Sequence, residues 1–191
     1  ALGGCSDLEN MQGLQFKRNF LPATFPVNLN GDQGKVVFDD NNHISYDFER
    51  FVSEMRDERF SRDVSRLFYN YIQVAETKNY TALIYVIRDG FYGDTGPLTY
   101  QLVTYTKTGK LIDKKVIAGR DDFSAPLKMC VLNKDLTLVI TNYETKFQKD
   151  PEQEGYEDNP IVSKKKLDTE KYRIDASGKI LYTDGQTFAS I

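Results

Sequence analysis

Three runs between Tyr80 and Ile117 constrain the fold more than any other feature of the chain. Tyr80–Arg88, Leu98–Thr106 and Lys110–Ile117 are dense in β-branched and aromatic residues, with a Gly-rich loop after the first and a Lys-Thr-Gly turn after the second. Such side chains pack well on a pleated surface, and turn chemistry between them lets the chain reverse. The stretch therefore predicts a β-meander. Comparable runs stand at Leu67–Val74, Leu127–Leu132, Leu136–Tyr143, Lys171–Ile174 and Lys179–Tyr182. The 12 Tyr and 12 Phe, with no Trp, favour sheet in the same way.

The period changes in one segment. Phe48, Phe51, Val52 and Met55 fall at i, i+3, i+4 and i+7, while Glu49, Arg50, Glu54 and Arg56 face away. That spacing predicts one short amphipathic helix near residues 46–57, capped by Ser45 or Asp47, its apolar stripe turned to the core. The expected fold class is mainly β, an antiparallel meander forming a sandwich or open barrel. Residues 14–191 are expected to form a single β-rich domain. Polar, acidic Ser6–Gly13 is expected to be a flexible tether within an anchor region, 1–13. Leu14–Leu29, with Pro22 and Pro26, reads as an extended segment entering the sheet at its edge. Asp32–Phe38 reads as a turn and a strand, and Gln148–Glu170 as a long charged excursion. Gly34, Gly109 and Gly178, each followed by Lys and two apolar residues, are expected to supply the left-handed residue of bulged hairpin turns.

Charge and rare residues exclude several chemistries. A net charge of −3 argues against a broad nucleic-acid surface, which needs clustered positive charge. No apolar run approaches the roughly 20 residues of a membrane-spanning helix. One His and two distant Cys give neither a disulfide framework nor zinc-ligand spacing, so no metal and no cofactor is expected. His43 lies beside a turn without a nucleophile and orienter around it, and reads as an exposed loop residue. Cys130, inside the apolar Met129–Leu132, reads as a buried, inert thiol. The 28 Asp and Glu provide carboxylate pairs in any fold, and solvated surface charge explains them first. The loop Asp89–Gly96 fits neither an EF-hand nor a phosphate loop. Its aromatics, Phe91 and Tyr92, and Tyr156 in the excursion, are the candidate ligand- or partner-binding residues, since aromatic rings at loop tips seek burial against a partner.

The N-terminal Leu2-Gly3-Gly4-Cys5 resembles the lipobox of bacterial lipoproteins. In that family a signal peptidase cleaves before the Cys, whose thiol carries a diacylglyceryl group. The resemblance implies lipidation of Cys5 and anchoring to the outer membrane, with the protein periplasmic or surface-exposed; several acyl chains on one Cys anchor firmly where one is marginal. The Ser6-Asp7-Leu8-Glu9 start is similar to the acidic export tag of Bacteroides-type surface lipoproteins, with Leu8 interrupting the acidic run. The hairpin pattern of residues 67–117 also looks like that of Bacteroides-type lipoproteins and identifies no activity. The expectation is a non-catalytic, lipid-anchored envelope protein that binds a glycan or protein partner through loops. The alternative is a hydrolase of envelope glycans or polymers using paired carboxylates, which a cleft holding two of them would favour.

Overall fold

The computed structural model describes residues 4–29, 38–58, 66–89, 96–156 and 158–188. Ten strands form one sheet: β1 (Leu21–Pro22), β2 (Val27–Leu29), β3 (Arg66–Glu76), β4 (Thr81–Asp89), β5 (Leu98–Tyr105), β6 (Leu111–Gly119), β7 (Leu127–Leu132), β8 (Thr137–Phe147), β9 (Ile161–Ile174) and β10 (Ile180–Thr187). From β3 to β10 the strands are neighbours in chain order and antiparallel. β1 lies parallel beside β3, and β2 pairs with β7. The protein is mainly β, and the sheet is open rather than closed.

β4 and β5 are buried on both faces. Every residue of β5, and all of β4 up to Arg88, is buried. Alternation along β4 splits its side chains between two cores. Ala82, Ile84 and Val86 join Tyr100, Leu102, Leu132, Leu138 and Ile140 in a core shared by the two halves of the sheet. Leu83, Tyr85 and Ile87 join Val103 and Tyr105 beneath the helical segments. Antiparallel strands with one wet face alternate apolar and polar residues; these two read as near-continuous apolar runs because neither face is wet. In β3 the register shifts between Asn70 and Ile72. An extra residue there moves the inward set from odd to even positions, so Tyr69 and then Ile72 and Val74 reach the same core.

The two halves meet at a narrow seam. β6 and β7 share one residue pair, Gly119 with Lys128. At the far end the turn between β9 and β10 docks on the first half through three bonds: Thr104 Oγ1 donates to Gly178 O (2.6 Å), Asn79 Nδ2 to Ala176 O (3.0 Å), and the Ile180 amide to Asp113 Oδ2 (2.8 Å). Gly109 and Gly178 hold the expected left-handed backbone, with φ of +85° and +89°. The turn between β7 and β8 uses Leu136 at φ +67° in the equivalent place. Gly34 lies outside the described residues, as do all of 32–37 in the predicted Asp32–Phe38 turn and strand.

The helical segment near 46–57 is two pieces. A 3₁₀ turn, Tyr46–Phe51, is capped by Ser45, whose Oγ accepts from the Asp47 amide, and α2 (Ser53–Glu58) comes after a break at Val52. Phe51, Val52 and Met55 are buried as their spacing predicts. Glu54, expected to face away with Glu49, Arg50 and Arg56, is buried instead. It accepts a 2.5 Å bond from the Tyr85 hydroxyl and faces Lys114 Nζ, so this acid is paired where it is drawn inward.

Two expectations need correction. Leu14–Leu29 is not extended throughout: its first residues close α1 (Gly4–Arg18), which also takes in Ser6–Gly13. Phe16 and Phe20 seat against Phe51 and the sheet, and that burial favours a helix up to Arg18. Pro22 and Pro26 restrict only the residues beyond it, where β1 and β2 are indeed extended. The excursion is shorter than Gln148–Glu170, because 161–170 is strand. Lys164, Lys165 and Lys166 pair with Thr145, Glu144 and Tyr143 of β8 in a ribbon solvated on both faces.

Gly119 has φ +83°, and a Cβ there would stand 1.8 Å from Leu98 O. Gly119→Ala is expected to cost about 2–3 kcal/mol of stability through strain and displaced backbone. A urea titration showing an unchanged midpoint would contradict this account of the seam.

Candidate functional site

The sequence places a groove at the end of the second half-sheet by local means. After Gly119, the Arg120 amide donates to Leu98 O (2.8 Å), and Asp122 closes a tight loop. Its Oδ1 accepts from the Ser124 hydroxyl, the Ser124 amide and the Ala125 amide. These bonds, the hydroxyl's first, hold the Asp122 carboxyl below the usual range, and they aim Phe123 along the sheet end. Opposite, Asp150 caps α3 (Pro151–Glu154) by accepting from the Glu152 amide. Asn159 cinches that connection with 2.8 Å bonds to the amide and carbonyl of Lys149 and to Gly155 O. Tyr156 is thereby presented to Phe123.

Tyr156 stacks on Phe123 with ring centroids 3.5 Å apart, and Phe147 meets Tyr156 edge-on at 5.3 Å. Behind them the buried Arg120 holds its guanidinium 5.5 Å from Phe123 and 5.4 Å from Phe147, and donates to Thr145 Oγ1 (2.8 Å). Aromatic faces attract a cation, and burial lowers the Arg120 pKa. The three rings wall a groove of about 690 Å³.

A second cleft of about 400 Å³, lined by several charged and amide side chains, adjoins it, the two sharing Ala125, Pro126 and Leu167. Period-2 spacing on β9 puts Asp168, Glu170 and Tyr172 on one face, opposite Asn142 of β8. Lys128 Nζ donates to Asn142 Oδ1 (2.9 Å); Asn142 Nδ2 donates to Asp168 Oδ1 (2.5 Å) and Glu170 Oε2 (3.4 Å). The Tyr172 hydroxyl donates to Glu170 Oε1 (3.1 Å), and its pKa is pushed up to about 12, by burial first and then by Glu170. Lys115 Nζ sits 4.2 Å from the Tyr172 ring. The arrangement offers donors and acceptors beside an aromatic wall. That pairing suits a ligand with an apolar face and hydroxyl edges.

Of the residues singled out from sequence, Tyr156 is in this groove, half-buried by its neighbours. Phe91 and Tyr92 lie outside the described residues. Cys5 stands in the first turn of α1. Cys130 is buried, and burial pushes its thiol up to about 12. His43 bridges to Tyr69 at the surface. Among the described residues no group of three His, Cys, Asp or Glu could hold a metal ion. Sequence reading missed Arg120 and Phe123, whose only local signal is an Arg-x-x-Phe after a strand-ending Gly, and Phe147, the last residue of β8. It also missed the Asp168–Glu170–Tyr172 alternation, hidden in a lysine-rich stretch.

Comparison with protein-family models, with curated proteins and with solved structures found no match to this chain.

Asn142→Asp tests the polar cluster. A carboxylate there faces Asp168 and Glu170, whose two like charges outweigh the single Lys128 cation beside it and raise its folded-state pKa above the ordinary ~3.9. Its protonated form is then the better fit, so the deficit against wild type shrinks at acid pH and grows as pH rises through the raised value. At neutral pH the expected loss is about 1–3 kcal/mol. Denaturation at pH 4 and pH 7 measures it; an equal deficit at both would show that Asn142 does not hold the carboxylates.

Proposed function

We propose that the chain is a non-catalytic envelope protein, held to a membrane by lipid on Cys5, that binds a glycan through the groove at residues 120–126 and 148–160. The observation that carries the binding reading is the continuity of the Phe123–Phe147–Tyr156 wall with the Lys128–Asn142–Asp168–Glu170 cluster. A pyranose ring presents a C–H face to an aromatic wall and hydroxyls to amides and carboxylates, and the two halves of that chemistry line adjoining clefts. Asp122, Asn159 and Asp150 brace the two loops, so the groove is ordered before a ligand arrives, which lowers the entropic cost of binding.

The hydrolase alternative draws on Asp168 and Glu170, two carboxylates in one cleft. Both already accept from Asn142; Glu170 also accepts from Tyr172 and stands 4.0 Å from Lys128 Nζ. Groups so committed serve a binding surface better than proton transfer, which needs one acid free to give up its proton. The anchor reading rests on Leu2-Gly3-Gly4-Cys5. Among the described residues no helix is long and apolar enough to cross a membrane.

Tyr156→Ala is expected to lower retention on a glycan array roughly tenfold while costing about 1 kcal/mol of stability, the worth of its ring pair. A large fall in melting temperature with unchanged retention would reduce the ring to a loop pin. Release of reducing ends from a retained glycan, abolished by Glu170→Gln, would replace the binding reading with the hydrolase. For the anchor, protein expressed with its own export signal should partition into detergent and gain the mass of lipid, whereas Cys5→Ala stays in the aqueous phase. Equal partitioning of the two forms would remove lipidation.

A further inference from the structure

We propose that the molecule carries a second ligand site, for a small carboxylic acid with an apolar body, in the cavity between α1 and the outer face of β4–β5. The cavity is about 230 Å³. That exceeds the roughly 150 Å³ that takes up benzene and falls short of the 300–1,000 Å³ or so of drug-sized sites. Its occupant is therefore small.

Leu83 and Tyr105 form the floor, Phe51 one wall, and Gly13, Leu14 and Phe16 of α1 the other. Four features point to an amphiphilic anion. The lining is apolar, so the body of the ligand is apolar. Thr81, only 2% exposed, also lines the cavity, and its hydroxyl can donate to a carboxylate held there. Lys17 and Lys107 both stand at the mouth and share one carboxylate, Glu76, at 2.9 and 3.4 Å, so two cations face a single anion there. Last, Gly13 keeps the cavity open. A Cβ at that helical position would meet only Phe51, at 3.9 Å, and would project into the space. Glycine weakens a helix interior, and here its lack of a side chain is what leaves room for a ligand. The Tyr105 hydroxyl is committed to Phe51 O at 2.5 Å and braces the floor.

Titration of the full chain with octanoate and with its neutral isostere octanamide, followed calorimetrically, tests the site. Octanoate is expected to bind at least roughly tenfold more tightly than octanamide, with the advantage shrinking as salt rises. Gly13→Leu fills the cavity with a better helix former, and should abolish octanoate binding without lowering the melting temperature. Lys17→Gln combined with Lys107→Gln should bring octanoate down to the level of octanamide. Three results overturn the proposal: no octanoate binding at millimolar concentration, undiminished binding by Gly13→Leu, or equal affinity for acid and amide in the wild type.

Discussion

Burial of β4 and β5 on both faces is the constraint on which the remainder of the molecule depends. A two-faced strand pair needs two cores, and each core needs a cover. On one side the second half of the sheet supplies it, through β7, β8 and the inner end of β9. On the other, no further strand is present among the described residues, and the cover is assembled from α1, the 3₁₀ turn and α2. That second cover is irregular by comparison. Phe16 and Phe51 stack at 4.9 Å, with Phe20 and Tyr105 edge-on around them, so rings rather than a regular layer close the face. An irregular cover leaves gaps, and the cavity beside Gly13 is one of them.

The polar groups drawn into this arrangement show how completely it is buried. Glu54 reaches the Tyr85 hydroxyl and Lys114, and Thr104 reaches a carbonyl of the opposite half. Buried polar atoms hold their place when bonded and are costly when they are not. The same logic shapes the groove at the sheet end, where buried Arg120 is satisfied by Thr145 and by two aromatic faces.

What could be read from the sequence depended on the range of the interactions. The meander was legible because its continuous apolar runs reflect burial on both faces, a property each strand carries in its own composition. Phe51, Val52 and Met55 were legible for the same reason, since a helical stripe is local. α1 was not. Its side of the core is anchored by Phe16 and Phe20, and the polar residues before them resemble a tether until the sheet beneath is known. The lysines of β9 were misread because strand preference depends on the partner strand, and β8 is their partner. Phe123, Phe147 and Tyr156 come from three separate connections and strand ends. Only the β8–β9 register and the loop of Asp122 bring them together.

The seam between Gly119 and Lys128 has a consequence for temperature. Because one β6–β7 backbone pair, the β1–β2 segment that bridges β3 to β7, and a few side-chain bonds join the halves, their attachment rests largely on the shared apolar core. Apolar attraction weakens as water cools, whereas the ladders inside each half owe less to it. On that account the second half is expected to loosen from the first toward low temperature before either half loses its strands. The polar part of the groove takes Val116, Gly119 and Arg120 from one side of that seam and Lys128, Asn142 and Asp168 from the other, so such a separation would open it, whereas a cavity built on the first half alone would keep its shape.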